Sequence, residues 1–166
     1  MLSKLLAPEK WGDKLYKIDN HIVCSVCGMA ADALVLVDSA RKVAQHHYYT
    51  FNESIPLERL VQEISTSLHY YTQYGSTRPF GISILFAGYD KVKGFQLQCT
   101  DPGGNYTAWK AHVLGANNAN GISFLKEEYK DDLSLDEGLK LALKAMCKTL
   151  DSTHPKPEDC NKDYKL

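Results

Sequence analysis

Tyr71-Thr72-Gln73-Tyr74-Gly75-Ser76-Thr77-Arg78-Pro79-Phe80-Gly81 is where this 166-residue chain changes from one periodicity to another. Upstream, Leu57, Leu60, Val61, Ile64, Leu68 and Tyr71 recur at helical spacing and form one apolar stripe. Pro56 suits the first position of that helix, because its missing amide would have no partner there. Gly75 is expected to end the helix in the left-handed conformation that glycine adopts without penalty. Arg78 precedes proline and is pushed toward an extended backbone. Residues 81–89 then read as a strand, apolar nearly throughout, which predicts cover on both faces.

The pattern extends in both directions. Residues 31–48 carry Ala33, Leu36, Val37, Ala40, Val43, Ala44 and His47 at helical spacing. Residues 52–56 are a loop. Residues 14–27 hold two short apolar runs around Asp19-Asn20, the pattern of a hairpin. Downstream, residues 94–99 and 106–114 add two strands, and turn residues separate all three. Asn117 or Asn118 is placed to cap a third helix, with Ile122, Leu125 and Tyr129 on one face. Ser134 and Glu137 have the spacing of a capping box for a fourth helix. Leu135, Leu139, Ala142, Leu143, Met146 and Leu150 are expected to line its buried side. The predicted order is β-β, α-α, β-β-β, α-α, an α+β chain without repeats or an internal linker. Residues 152–166 are polar and lack periodicity.

Bulk properties narrow the function classes. Hydrophobic residues make up 44% and charged residues 23%, with a formal net charge of −1. Such a balance draws the chain toward neither nucleic acid nor an anionic membrane. No apolar run has the length of a membrane span, and the first residues lack the apolar core of a signal peptide. The expected location is the cytoplasm and nucleus. Five cysteines at irregular spacing do not resemble a secreted disulfide framework.

Several groups invite a chemical reading. Cys24-Ser25-Val26-Cys27 has the spacing of a redox pair or half a zinc site. It sits late in a predicted strand rather than at a helix start, and no second pair follows at zinc-finger spacing, so buried structural thiols are expected. His46-His47 ends the predicted first helix, where a cation would complement the dipole, and no third metal ligand is identified. Asp101-Pro102-Gly103-Gly104-Asn105 lacks the Lys-Ser/Thr of a phosphate loop and reads as a hairpin turn. Tyr70, Tyr71 and Tyr74 near Arg78 and Phe80 could stack on bases, but without a basic groove they read as packing. No Gly-x-Ser-x-Gly turn is present. The residues give no catalytic set, no metal site and no cofactor site.

The run from Tyr71 to Gly81 resembles the signature of alpha subunits of the proteasome core particle, roughly YTQ-aromatic-GG-x-RP-aromatic-G. Ser76 departs from it, standing where glycine is usual. Lys14-Leu15-Tyr16-Lys17-Ile18-Asp19, Ala31-Asp32-Ala33, Gly94-Phe95-Gln96-Leu97, Asp101 to Tyr106 and Trp109-Lys110-Ala111 resemble the same family in the same order. The resemblance implies the four-layer αββα sandwich of N-terminal-nucleophile hydrolases. It implies partners: other alpha subunits in a seven-membered ring, a beta ring beneath, and the C-termini of a regulatory particle or other activator. Alpha subunits are not proteolytic. A catalytic beta-type subunit, or an independent hydrolase of this fold, would use an N-terminal threonine; the chain reads Met1-Leu2-Ser3, so a non-catalytic subunit is expected. The resemblance also implies a pocket between neighbouring alpha subunits in which Lys14 pairs with an activator's C-terminal carboxylate beside Gly28 and Met29. By this resemblance residues 1–151 are expected to be the central part of the alpha-type domain, without its first and last strands. Loss of a partner sheet would leave an apolar face open and favour self-association.

Overall fold

A computed structural model describes residues 14–75 and 77–149. Ser76, Leu150, Cys160, the polar segment 152–166 and the N-terminal Met1-Leu2-Ser3 lie outside the described residues. The first hairpin is β1 (Leu15–Asp19) and β2 (Ile22–Gly28), turning at Asn20 and His21 as the apolar runs predict. Next come α1 (Ala30–Phe51) and α2 (Leu57–Gln73). Then follow β3 (Ile82–Asp90), β4 (Gly94–Thr100) and β5 (Tyr106–Trp109), and finally α3 (Asn118–Glu128) and α4 (Leu135–Thr149). The strands form one antiparallel sheet in the order β1-β2-β3-β4-β5. The two helices inserted between β2 and β3 leave those strands adjacent, with Cys24 opposite Phe86 and Gly28 opposite Ile82.

One face of the sheet carries the core. α1 lies over β1 and β2, and α2 lies over β3, β4 and β5. Leu57, Leu60, Val61, Ile64 and Leu68 of α2 are fully buried against Ile22, Ile82, Ile84 and Phe86. A fully buried side chain of this kind contributes roughly 1.5–3 kcal/mol relative to an exposed one. The glycine turn Asp101–Asn105 closes against the same helix. Asn105 donates from its amide and its side chain to the Asp101 carboxylate, at 2.9 and 2.8 Å. The Ser65 hydroxyl of α2 donates to the Gly104 carbonyl. Gly104 has φ +88, and a Cβ there would lie 2.8 Å from the His69 amide nitrogen, so the turn can seat only without a side chain.

Among the described residues the opposite face is only partly covered. Val23, Ala87, Leu97 and Trp109 stand opposite one another across four strands, and Tyr89 pairs with Phe95 beside them. Phe95 is 88% exposed. This corrects the expectation that β3 is covered on both sides: Tyr89 is exposed, and Ser83, Leu85 and Ala87 are only partly buried. The cause is that α3 and α4 pack on each other rather than across this face. The same arrangement corrects the expected buried side of α4. Leu135, Leu139, Leu143 and Met146 are exposed, and Ala145 is the buried residue among those described.

Element ends also differ in places. β5 stops at Trp109, whose ring stacks on His112 at 4.3 Å. Beyond it the chain turns so that Val113 packs near Gly121 of α3. Gly75 is not a left-handed cap. Tyr74 ends the helix in an extended conformation, φ −98 and ψ 120, and its carbonyl accepts from the amide and hydroxyl of Thr77 at 3.3 and 3.1 Å. The end of the helix is thereby tied down without a glycine cap. Asn117 precedes α3 as predicted, but its side chain makes no cap and donates instead to the Thr149 carbonyl at the end of α4 (3.2 Å). The Ser134–Glu137 capping box forms as read, with the Ser134 amide and hydroxyl 2.9 and 2.7 Å from Glu137 Oε2.

Candidate functional site

The residues singled out in the sequence converge at one end of the sheet, around a side chain that the reading had not isolated. Asp32 sits in the first turn of α1 and is buried. Its Oδ2 accepts from Arg78 Nη1 at 2.7 Å and its Oδ1 from Arg78 Nη2 at 2.8 Å, a two-pronged pair. Oδ2 also accepts from the Gly81 amide at 3.0 Å. The hydrogen bonds from Arg78, and then that from Gly81, pull the Asp32 carboxyl down to about 2. Arg78 Nη1 donates as well to the Pro79 carbonyl at 3.1 Å, yet the arginine side chain stays 62% exposed. A buried carboxylate thus fixes the inner edge of a guanidinium whose outer edge faces solvent.

The Gly81 carbonyl continues the chain of contacts by accepting from the Met29 amide at 3.1 Å. Gly28 has φ +129, and a Cβ there would lie 2.2 Å from the Gly81 oxygen. Only glycine fits, in conformation and in space. A Cβ at Gly81 would lie 3.1 Å from Met29 Sδ. Lys14 lies just before β1, and its carbonyl accepts from the Val26 amide at 3.1 Å, so it belongs to the same end of the sheet. Gly28 and Met29, both exposed, therefore sit between Lys14 on the β1 side and Arg78–Gly81 on the β3 side.

The signature divides here. Arg78, Pro79, Phe80 and Gly81 join this corner, and the Phe80 ring meets Tyr71 edge-on at 4.8 Å. Thr72 and Gln73 turn back onto α2, each bonding to His69, at 2.7 and 2.8 Å. Tyr74 stacks on Tyr70 at 4.3 Å, and Tyr74 and Gly75 are exposed. Asp32 was visible in the sequence only as part of Ala31-Asp32-Ala33. The usable signal was a carboxylate beside the apolar stripe of a helix, which requires a partner if buried.

Of the two thiols expected to be buried, Cys24 is buried and Cys27 only partly so. Cys24 faces the helices and is buried, whereas Cys27 faces the open side, so the two thiols lie on opposite faces of one strand. Burial pushes the Cys24 thiol up to about 12, which makes it a poor nucleophile. His46 and His47 do not end α1, which continues to Phe51. His47 stacks on Phe51 at 4.6 Å instead of standing at the helix terminus. Among the described residues no three His, Cys, Asp or Glu side chains come together to hold a metal. No described helix is long and apolar enough to cross a membrane.

Residues 2–161 match the family model for proteasome subunits. The chain belongs to the proteasome subunit family. Proteasome subunit alpha type-4 of Spinacia oleracea is 50% identical over 151 residues, covering 91% of this chain and 60% of the relative. Its counterpart in Petunia hybrida is 49% identical, with 91% and 61% covered, and alpha type-4-A of Arabidopsis thaliana is 49% identical, with 91% and 60% covered. This member of the proteasome family thus spans about three-fifths of the length of these relatives.

Proposed function

We propose that this chain serves as a non-catalytic, structural subunit of the alpha ring of the 20S proteasome, of the alpha type-4 kind. The observation that carries the reading is its 48–50% identity to subunits of that name across 91% of the chain. In this role it packs beside other alpha subunits in a seven-membered ring and contacts the beta ring. It works in the cytoplasm and nucleus in ubiquitin-dependent protein degradation, and the peptide cleavage belongs to other subunits of the threonine-type protease complex. The full fold is the four-layer sandwich. The open face bearing Val23, Ala87, Leu97 and Trp109 supports this, because it is an apolar sheet surface suited to a second sheet.

The corner at Lys14, Gly28 and Met29 is the docking point for the C-terminal carboxylate of a regulatory particle or another activator. An exposed lysine beside a closely packed glycine corner suits a carboxylate on chemical grounds. The role is tested by tagging the chain in its own cells and identifying what is retained after gentle lysis. Alpha and beta subunits in equal amounts support the reading. A chain recovered without them, or one that hydrolyses peptides unaided, overturns it.

A further inference from the structure

We infer that Asp32 is a positioning residue for the carboxylate-docking corner: it locks Arg78 and Gly81 so that the Gly28–Met29 backbone presents one fixed surface next to Lys14. This rests on the reading of Lys14, Gly28 and Met29 as a docking point. The inference itself comes from connectivity. Asp32 holds the Gly81 amide at 3.0 Å, and the Gly81 carbonyl holds the Met29 amide at 3.1 Å. The glycine corner is therefore two hydrogen bonds from a buried carboxylate. No side chain intervenes that could adjust: a Cβ at Gly28 would strike the Gly81 oxygen. A shift of Gly81 is thus transmitted to Gly28 and Met29 with little loss.

Charge gives the arrangement a second purpose. An isolated carboxylate behind this corner would repel an incoming carboxylate. The two-pronged pairing with Arg78 neutralises Asp32 and leaves the outer edge of the guanidinium toward solvent. The ligand class is a terminal carboxylate of a peptide. Arg78 and Asp32 act on it through the backbone they hold, while Lys14 makes the direct ion pair.

The complex isolated from its own cells with this chain in place is titrated with a short synthetic peptide bearing a free C-terminal carboxylate, and separately with its amidated twin, and hydrogen exchange is followed by mass spectrometry. The expected result is that the free peptide slows exchange in the segments of this chain that hold Gly28, Met29 and Gly81 and the amidated one does not. Lys14→Gln abolishes the difference. Asp32→Asn weakens free-peptide binding by about tenfold, the scale of one hydrogen bond to a charged group. It also speeds hydrogen exchange at Gly81 and Met29. Arg78→Lys, which keeps the charge but loses the fork, gives the same result in a milder form and replaces Asp32→Asn should that variant not fold. Val61→Ala, buried near the start of α2 at the other end of the helix, lowers stability without changing the preference. Equal response to both peptides overturns the docking reading, and the positioning role with it. Discrimination that needs Lys14 but survives Asp32→Asn and Arg78→Lys overturns the positioning role alone. Equal loss in Val61→Ala also overturns it, since general loosening would then explain the effect.

Discussion

Asp32 shows how much one buried carboxylate can organise. It ties the first turn of α1 to the segment entering β3, and the Met29 amide joins the same network through Gly81. Its carboxyl lies at about 2 in the folded chain against an ordinary 3.8, so the unfolded chain binds more protons between those values. Stability from this network is fully present above pH 3.8 and is lost as pH falls toward about 2. Asp32→Asn is expected to lower the melting temperature near neutral pH, and the gap to the parent chain narrows on acidification. A gap that stays constant across that range contradicts the assignment. Gly28→Ala adds a Cβ 2.2 Å from the Gly81 oxygen at φ +129. It is expected to cost on the order of 3 kcal/mol in urea unfolding. The sequence exposed the glycines and Arg78-Pro79 as special. It hid Asp32, because the partner lies 46 positions away and no local periodicity records such a distance.

At the level of elements, the hairpin, the first two helices and the meander were legible because each has a strong period and clear punctuation. The stripe on α2 predicts its buried set, from Leu57 to Leu68. What misled was the assumption that an apolar stripe finds cover. α4 has such a stripe, yet Leu135 is 72% exposed, since amphipathicity states which side wants burial and not what supplies it. Helix ends were blurred for a related reason: Thr77 satisfies the Tyr74 carbonyl by a bond that propensity does not encode. Two substitutions separate these cases. Phe86→Ala empties the centre of the covered face and is expected to cost about 3–5 kcal/mol. Ser134→Ala removes half of a capping box on an exposed helix start and is expected to cost about 1 kcal/mol. Circular dichroism followed through a urea titration measures both, and a larger loss for Ser134→Ala than for Phe86→Ala contradicts the placement of the core.

For the molecule as a whole, the governing feature is a sheet with helices on one side and an apolar surface on the other. The described residues leave Val23, Tyr89, Phe95 and Trp109 exposed there. An apolar sheet surface of this kind promotes association. The purified chain alone is expected to sediment as more than monomer, and Phe95→Lys is expected to shift it toward monomer; a concentration-independent monomer for the parent chain contradicts this. Family membership was legible because several motifs recur in order from Lys14 to Ala111. The layer architecture beyond the sheet and its helices was not, since amphipathicity marks a face for burial without naming what covers it. The central claim is that this chain works as a subunit of a ring. Native mass spectrometry of the complex isolated from its own cells counts subunits directly. The account predicts that the chain is found within a particle containing seven alpha-type subunits and their beta partners. A chain found only alone, or only in complexes without other proteasome subunits, would contradict it.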